Sequence, residues 1–488
     1  MANERTESQV TTGMIVPYSK MSFSDPFIHV RNIENQTVIQ GVSSCVLGHK
    51  ICSPGSTSRE GTFAGWRWDG KRLTITNDRF GFYPLYYFVQ SDECAVSPSL
   101  PELLSLGAST ELDYDALAAF FYLGYFLGDD TPFLAIRAVP PDATFEWESG
   151  VLITSGRLAM AKSKALDRKQ AMEAYIDLFR QAIVRRLPAD KDFAVLLSGG
   201  RDSRHILLEL LQNGARPKFC LTVDFPQPNS QSDAMVAAQL AKALDVPHVV
   251  HADKNVSFLE EADKNLLTNL CADEHVWMMP VANYLLGKVN TIYDGIGGDV
   301  LSAGLLLNQH RLELCEAGRV VELAEDLLGS QPVPSFLCPK MQSRMGRDVA
   351  IVRLVKELYR HIEAPNLFSS FVFWNRTRRE IALSPYRILA GVGTVFSPYL
   401  DHAVYDLLAS LPGRMFVDHS FHTDAINLAF PQYAHIPYSN KPSSAEPVST
   451  PERRRHWRRF VMDIFRYGSF KKVTLVNKNF LWPRLLRC

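Results

Sequence analysis

The chain carries no excess charge of either sign. Its 52 Lys and Arg balance 52 Asp and Glu, so the whole-chain field favours neither nucleic acid nor an anionic surface as a partner. It has no run of 18 apolar residues, so no membrane-spanning helix is expected. The opening Met1-Ala-Asn-Glu-Arg-Thr-Glu7 has no apolar stretch behind a basic region, so no signal peptide is expected either. The eight cysteines, at 45, 52, 94, 220, 271, 315, 338 and 488, form no C-x-x-C pair. That pattern argues against a zinc site and for reduced, mostly buried thiols in a cytoplasmic protein. No internal repeat stands out. Length and an ordinary apolar share, 488 residues and 46%, leave room for two or three domains with cores of their own.

The texture of the chain changes once. Up to about residue 160 it is rich in short alternating stretches such as Leu73-Thr-Ile-Thr76 and Leu85-Tyr-Tyr-Phe-Val89, with turns expected at Pro54-Gly55 and Asp69-Gly70. These predict antiparallel strands. Beyond Leu166, longer helical patterns alternate with short apolar runs: helices at 171–187, 203–214 and 232–244, strands at 193–197, 219–223 and 247–250. That alternation predicts a doubly wound parallel sheet with ligands beyond the strand C-termini. The expected division is 1–160 and 161–488.

The most informative stretch is Phe193-Ala-Val-Leu-Leu-Ser198-Gly199-Gly200-Arg-Asp202-Ser203. A buried strand runs into a glycine turn and then into a helix, with Ser203 expected as the N-cap. Such a turn offers backbone N–H groups at a positive helix end, which suits phosphate. The Gly-Lys-Ser/Thr ending of a Walker loop and the three glycines of a dinucleotide fingerprint are both missing.

Ser198-Gly-Gly-Arg-Asp202-Ser203 resembles the pyrophosphate loop of the ATP pyrophosphatase superfamily. Asp294-Gly295-Ile296-Gly297-Gly298-Asp299, whose last residue lies 97 residues after Asp202, resembles the second glycine-rich segment of asparagine synthetases. Phe396-Ser-Pro-Tyr-Leu-Asp401, Leu411-Pro412 and Lys441 follow in the same family order. In the first half, Asp78-Arg79-Phe-Gly81-Phe-Tyr-Pro84-Leu-Tyr-Tyr87 resembles the signature of the glutaminase domain of asparagine synthetase-like proteins, and Phe133–Pro141 the segment leading out of it.

The resemblance covers roughly Thr76 to Lys441. It implies an α+β sandwich of the N-terminal-nucleophile hydrolase type, followed by an α/β ATP pyrophosphatase domain with a parallel sheet, like the adenine nucleotide α-hydrolases. It implies ATP and Mg2+ as cofactors. Nucleotide binding would fall to Leu196, Ser198, Gly199, Gly200, Asp202, Ser203, Thr222, Val223, Gly295 and Gly297. Asp202 and Asp299 would hold the metal, and Lys441 would close over the reacting carbonyl. Lys441 also reads as an exposed lysine in the polar loop Tyr438–Ser444. Asp401 reads as a helix cap before it reads as a catalytic group.

Departures from the family pattern carry as much weight. A working glutaminase needs a cysteine directly after the initiator methionine, and position 2 is Ala2; the first half is expected to keep its fold without producing ammonia. Ile296 stands where asparagine synthetases have glutamate and β-lactam synthetases tyrosine. An earlier family lysine falls near His422. The Gly297-Gly298-Asp299 form resembles the cyclases that close lasso-peptide macrolactams, and similar segments occur in asparagine synthetase-like proteins of polysaccharide clusters.

The function expected is an AMP-forming amide, lactam or macrolactam ligase acting on a small-molecule or peptide carboxylate, with a peptidase or leader-peptide binder as a partner protein. The alternatives are amidation with free or externally supplied ammonia, and a non-catalytic nucleotide- or partner-binding scaffold. Arg453–Arg459 and the tail behind it are basic with interleaved aromatics. That reads as an amphipathic helix with a solvated basic face, in preference to a lipid or nucleic-acid site. The segment 331–347 is expected to be a loop near the mouth of the site. Residues 375–379 are expected to contact substrate or to form a helix surface.

Overall fold

The computed structural model describes residues 25–34, 36–51, 60–224, 230–252, 257–330 and 337–439. The first half is a sandwich of two antiparallel sheets. One has the order β2-β1-β7-β6-β8, from β1 (Ile28–Ile33), β2 (Gln36–Gly41), β6 (Tyr86–Gln90), β7 (Glu93–Ser97) and β8 (Arg137–Ala138). The other has the order β10-β9-β5-β4-β3, from β3 (Ser44–Ile51), β4 (Glu60–Trp68), β5 (Leu73–Asn77), β9 (Thr144–Glu148) and β10 (Val151–Ser155). The period of two in Leu73-Thr-Ile-Thr-Asn77 sends Leu73, Ile75 and Asn77 inward, the alternation that a one-sided core demands. Ile28, Val30 and Val96 of one sheet share a core with Trp66, Ile75, Phe145 and Trp147 of the other. The expected turn at Asp69-Gly70 is present: Asp69 accepts from the N–H of Lys71 and Arg72, and Gly70 takes φ +102, where a side chain would strain. Pro54-Gly55 lies outside the described residues. Two helices flank the sandwich, α1 (Leu100–Ser105) and α2 (Tyr114–Leu123).

The second half is wound on a parallel sheet of order β13-β12-β11-β14-β15, from β11 (Phe193–Leu196), β12 (Phe219–Asp224), β13 (His248–Ala252), β14 (Thr291–Tyr293) and β15 (Thr394–Phe396). Around it lie α3 (Arg168–Val184), α4 (Asp202–Gln212), α5 (Ser230–Ala243), α6 (Phe258–Leu267), α7 (Met278–Leu285), α8 (Gly298–Ser302), α9 (Gln309–Glu316), α10 (Val320–Leu328), α11 (Pro339–Arg344), α12 (Arg347–Tyr359), α13 (Leu367–Val372), α14 (His402–Leu408) and α15 (Phe421–Ala429). Helix α3 starts earlier than its apolar pattern, because Asp167 and Gln170 form a capping box across its first turn. The chain leaves β11 toward β12 and β13 on one side and reaches β14 and β15 on the other. The strand order therefore reverses between β11 and β14, the place where open α/β sheets bind ligands.

Three expectations are corrected. The segment from 337 onward is not a loop: Pro339 sits in the first turn of α11, its fixed φ suited to that place, and Leu337 and Met341 are buried. Residues 331–336 and the basic tail lie outside the described residues. Ser203 is not the N-cap of α4; the cap position is Arg201, with no side-chain bond. Residues 375–379 do not form a free helix surface. They belong to a π-helical stretch, Phe373–Ile381, whose Asn375, Arg378 and Arg379 are buried. Asn375 accepts from Gly128 N at 2.7 Å, Arg378 donates to the carbonyls of Gly81 (3.2 Å) and Val139 (2.8 Å), and Arg379 donates to those of Gly128 and Asp130. A wide π turn lets consecutive polar residues reach the other half, and the two halves share one continuous core through Phe80, Phe82, Phe373 and Trp374.

Candidate active site

The loops after β11 and β14 lie side by side at the reversal point. In the first loop, Ser203 Oγ accepts from Ser198 N at 3.0 Å, Ser198 Oγ accepts from Gly200 N at 3.1 Å, and the two hydroxyls are 3.2 Å apart. The serines thus brace the turn from inside. No side chain caps α4, so the orphan N–H groups of its first turn open onto the loop as a positive end.

The second loop is glycine-rich because Asp202 lies on it. A Cβ on Gly295 would sit 2.8 Å from Asp202 Cβ, and one on Gly298 would sit 2.6 Å from Asp202 Oδ1. Gly297 is needed for another reason, its φ of +87. Asp299 Oδ1 accepts from Val300 N at 2.8 Å and Asp294 Oδ1 from Ile296 N at 2.8 Å. Asp294 is pushed up to about 6, first by burial and further by the charges of Asp202 and Asp299. Three carboxylates therefore share one local field, and hard oxygen donors crowded in this way suit Mg2+. Asp202 and Asp299 lie close enough for both to act on Asp294; Asp294 was not singled out, because strand-end aspartates rarely signal anything in sequence.

Behind Asp202 is a buried polar cluster drawn from distant segments. His422 Nδ1 is 3.2 Å from Asp202 Oδ1 and 2.9 Å from Ser302 Oγ; its Nε2 is 3.1 Å from Tyr175 Oη. Ser302 donates its hydroxyl proton to the Gly298 carbonyl at 2.7 Å, so the His422 proton belongs on Nδ1 and Tyr175 donates to Nε2. Burial first, and Arg201 second, lower His422 to about 3, so its contact with Asp202 involves a neutral ring. Tyr399 donates to the Asp202 carbonyl at 3.1 Å, and His205 stacks on Phe179 at 4.1 Å. His422 does not stand in as a cation for the family lysine.

The other expected residues fall as follows. Leu196 ends β11, paired with Leu221. Thr222 donates to the Leu197 carbonyl at 2.6 Å and meets His248 Nε2 at 2.8 Å, so its side chain closes the strand ends and leaves its backbone, with that of Val223, at the edge. Asp401 is wholly buried, accepts from Ala403 N as the cap of α14, and receives Arg185 and Arg186 at 2.7 Å each. Ile296 is buried. Lys441 lies outside the described residues, but the chain leading to it is pinned. Arg204 donates to the carbonyls of Ile436 (2.9 Å) and Pro437 (2.6 Å) and stacks 3.8 Å from the centroid of Tyr438, while Ser439 N donates to the Gly199 carbonyl at 2.9 Å. Arg204 was missed by sequence reasoning. Its signal was an arginine among residues of a helix buried nearly all round.

These features, a parallel sheet with a serine-braced loop and neighbouring aspartates at its reversal point, define an α/β domain with a candidate ligand site. Family comparison is consistent: residues 174–379 match the family described as asparagine synthase, and residues 47–156 the glutamine amidotransferase domain. The chain thus carries an asparagine synthase domain preceded by a glutamine amidotransferase domain. No curated protein matches it. Among solved structures, the allosteric regulatory enzyme of purine biosynthesis is 11% identical, over 40% of this chain and 47% of that one, with a TM-score of 0.15. The glutamine phosphoribosylpyrophosphate amidotransferase from B. subtilis complexed with ADP and GMP is also 11% identical, over 61% of this chain and 60% of that one, with a TM-score of 0.15. The chain spans roughly half of the length of these structures, and neither superposition bears on the site. Among the described residues, no helix is long and apolar enough to cross a membrane.

Proposed function

We propose that the protein is an ATP-dependent, AMP-forming amide ligase. The observation that carries the reading is Asp202, at the uncapped start of α4, sharing one local field with Asp294 and Asp299. A substrate carboxylate oxygen attacks the α-phosphorus of ATP, the bond to the β-phosphate oxygen breaks, and pyrophosphate leaves toward Ser198–Ser203. An amine then attacks the acyl-adenylate carbonyl, AMP departs, and the amine proton is lost. Mg2+ on Asp202 and Asp299 would neutralise charge on the departing pyrophosphate. The serine-braced loop orients the phosphates, and the positive end of α4 favours the charge that builds on them. Arg204 and Gly199 hold the approach to Lys441 within two residues of the loop, a reach of about 7 Å of chain. Lys441 donates to the tetrahedral oxyanion.

The amine is the substrate's own or that of a second substrate. Cys45, the first cysteine of the chain, lies inside β3 paired with Trp66, and burial raises its thiol, so it makes a poor nucleophile. The glycine pair before Asp299 favours ring closure on a peptide carboxylate, with a partner protein to present it, over a small β-lactam or a simple amide. The test is exchange of labelled pyrophosphate into ATP with candidate acids and peptides added singly. Exchange that depends on one carboxylate and vanishes in Asp202→Ala is expected; exchange at the wild-type rate in that variant refutes the reading. Dependence of product on ammonia would favour simple amidation, and ATP binding without exchange for any acid or peptide would favour a scaffold.

A further inference from the structure

Near the C-terminal end of the π-helical stretch, the loop between α6 and α7 brings Glu274 and His275 against Glu380. One donor atom from each, an imidazole nitrogen and two carboxylate oxygens, lies within 4.8 Å of the others. Acidic clusters are common without ions, so the histidine decides the matter. His275 is 4% exposed, and neither of its ring nitrogens has a hydrogen-bond partner. A neutral imidazole carries one donor and one acceptor, and burying both unsatisfied costs the full desolvation of each. Trp277 offers it only a ring edge, at 6.2 Å. A ligand that takes the nitrogen lone pair removes the acceptor's share of that cost.

Two cations border the cluster, and each has carboxylate neighbours. Arg376 approaches Glu274 at 3.9 Å and Glu380 at 3.7 Å, too far for hydrogen bonds to either. Lys264 is committed to Glu261, Asn265 and the Ala272 carbonyl, each within 3.0 Å. Glu380 is buried, 2% exposed. Glu274 is exposed, with 56% of its side chain accessible, and gives an ion a way in.

We propose that Glu274, His275 and Glu380 bind one divalent transition-metal ion, with water completing its coordination. The imidazole selects against Mg2+ and Ca2+, which prefer oxygen alone, and in favour of ions of the Zn2+ kind. The site is separate from the Mg2+ aspartates. It joins the α6–α7 loop to the stretch whose Arg378 and Arg379 hold the amidotransferase-type half, and Asp273 lies against Gly124 at the end of α2. The bound ion therefore fastens the junction of the two halves.

Full-length protein stripped with chelator and dialysed, free of ATP and Mg2+, is titrated with Zn2+ against a chromophoric chelator, and with Co2+ by visible absorption. Wild type is expected to bind a single ion and to unfold at a higher temperature with Zn2+ than without. Glu274→Ala and His275→Gln are each expected to weaken binding at least about tenfold and to lose the Co2+ band and the thermal shift. His310→Gln, a change at an exposed histidine elsewhere, is expected to leave all three readouts unaltered. Because Glu274 is exposed, its variant folds even if the buried histidine variant does not. Absence of stoichiometric binding in wild type, or equal binding in Glu274→Ala, overturns the proposal.

Discussion

Replacing Gly298 by alanine tests whether the second glycine loop exists to seat Asp202. The new Cβ would lie 2.6 Å from Asp202 Cγ and Oδ1 and 2.9 Å from a ring carbon of Tyr399. Ordinary contacts need about 3.5 Å, so Asp202 has to withdraw by about 1 Å. Gly298 opens α8 without a positive φ, so alanine suits its backbone and gains up to about 1 kcal/mol of helix propensity against about 1–3 kcal/mol for overpacking. Stability should therefore fall by no more than about 3 kcal/mol. A displacement of about 1 Å in a group that positions reacting phosphates costs about 100-fold in rate. The assay is pyrophosphate–ATP exchange beside a denaturant melt, with Gly391→Ala as control, because a Cβ there meets nothing within 4 Å. Exchange in Gly298→Ala within about threefold of wild type, or an equal loss in Gly391→Ala, would refute the account of Asp202.

Arg204→Met removes two charged hydrogen bonds and the stacking on Tyr438, on the order of 3 kcal/mol of docking for residues 436–439. Proteolysis near Tyr438 should quicken, and amide formation should fall more than exchange; equal losses in both steps would contradict the role given to Lys441. Arg378→Met strips donors from the carbonyls of Gly81 and Val139 at the junction, and an unfolding midpoint unchanged in denaturant would rule out the expected loss of about 2–4 kcal/mol. His422 titrates near 3 when folded against 6.5 when unfolded, so between these values the unfolded chain binds the extra proton and stability falls as the pH falls, by up to about 1.4 kcal/mol per unit. The stability gap between wild type and His422→Gln should therefore narrow from pH 6.5 toward 4; a constant gap would mean that the ring is already charged.

Both glycine loops at the reversal point were legible because each is local, a strand end, a glycine turn and a helix start within a dozen residues. The sandwich showed itself through period-two stretches such as Leu73–Asn77, whose inward face is apolar down to Ile75. What escaped was assembled from afar. Strand β15 is three residues long and offers no period to detect. Tyr175, Tyr399 and His422 come from three separated segments, and each alone looks like one more residue of an apolar face. Arg378 and Arg379 looked solvated, because an arginine run usually is; nothing local says that the carbonyls of Gly81, Gly128 and Val139 need donors.

That last point bears on why the amidotransferase-type half persists. Its signature residues serve structure: Asp78 accepts from the N–H groups of Phe63, Phe80 and Gly81, and Arg79 forms a forked pair with Asp406 on α14. Helix α14 begins at Asp401, which holds Arg185 and Arg186 at the end of α3. Helix α3 carries Tyr175 to His422, and His422 touches Asp202. A half that had lost its own chemistry would still be kept, since the carboxylate beside the nucleotide loop is packed, link by link, against it. Selection on the ligase site then acts on Asp78 and Arg79 as packing residues, whatever becomes of glutamine hydrolysis.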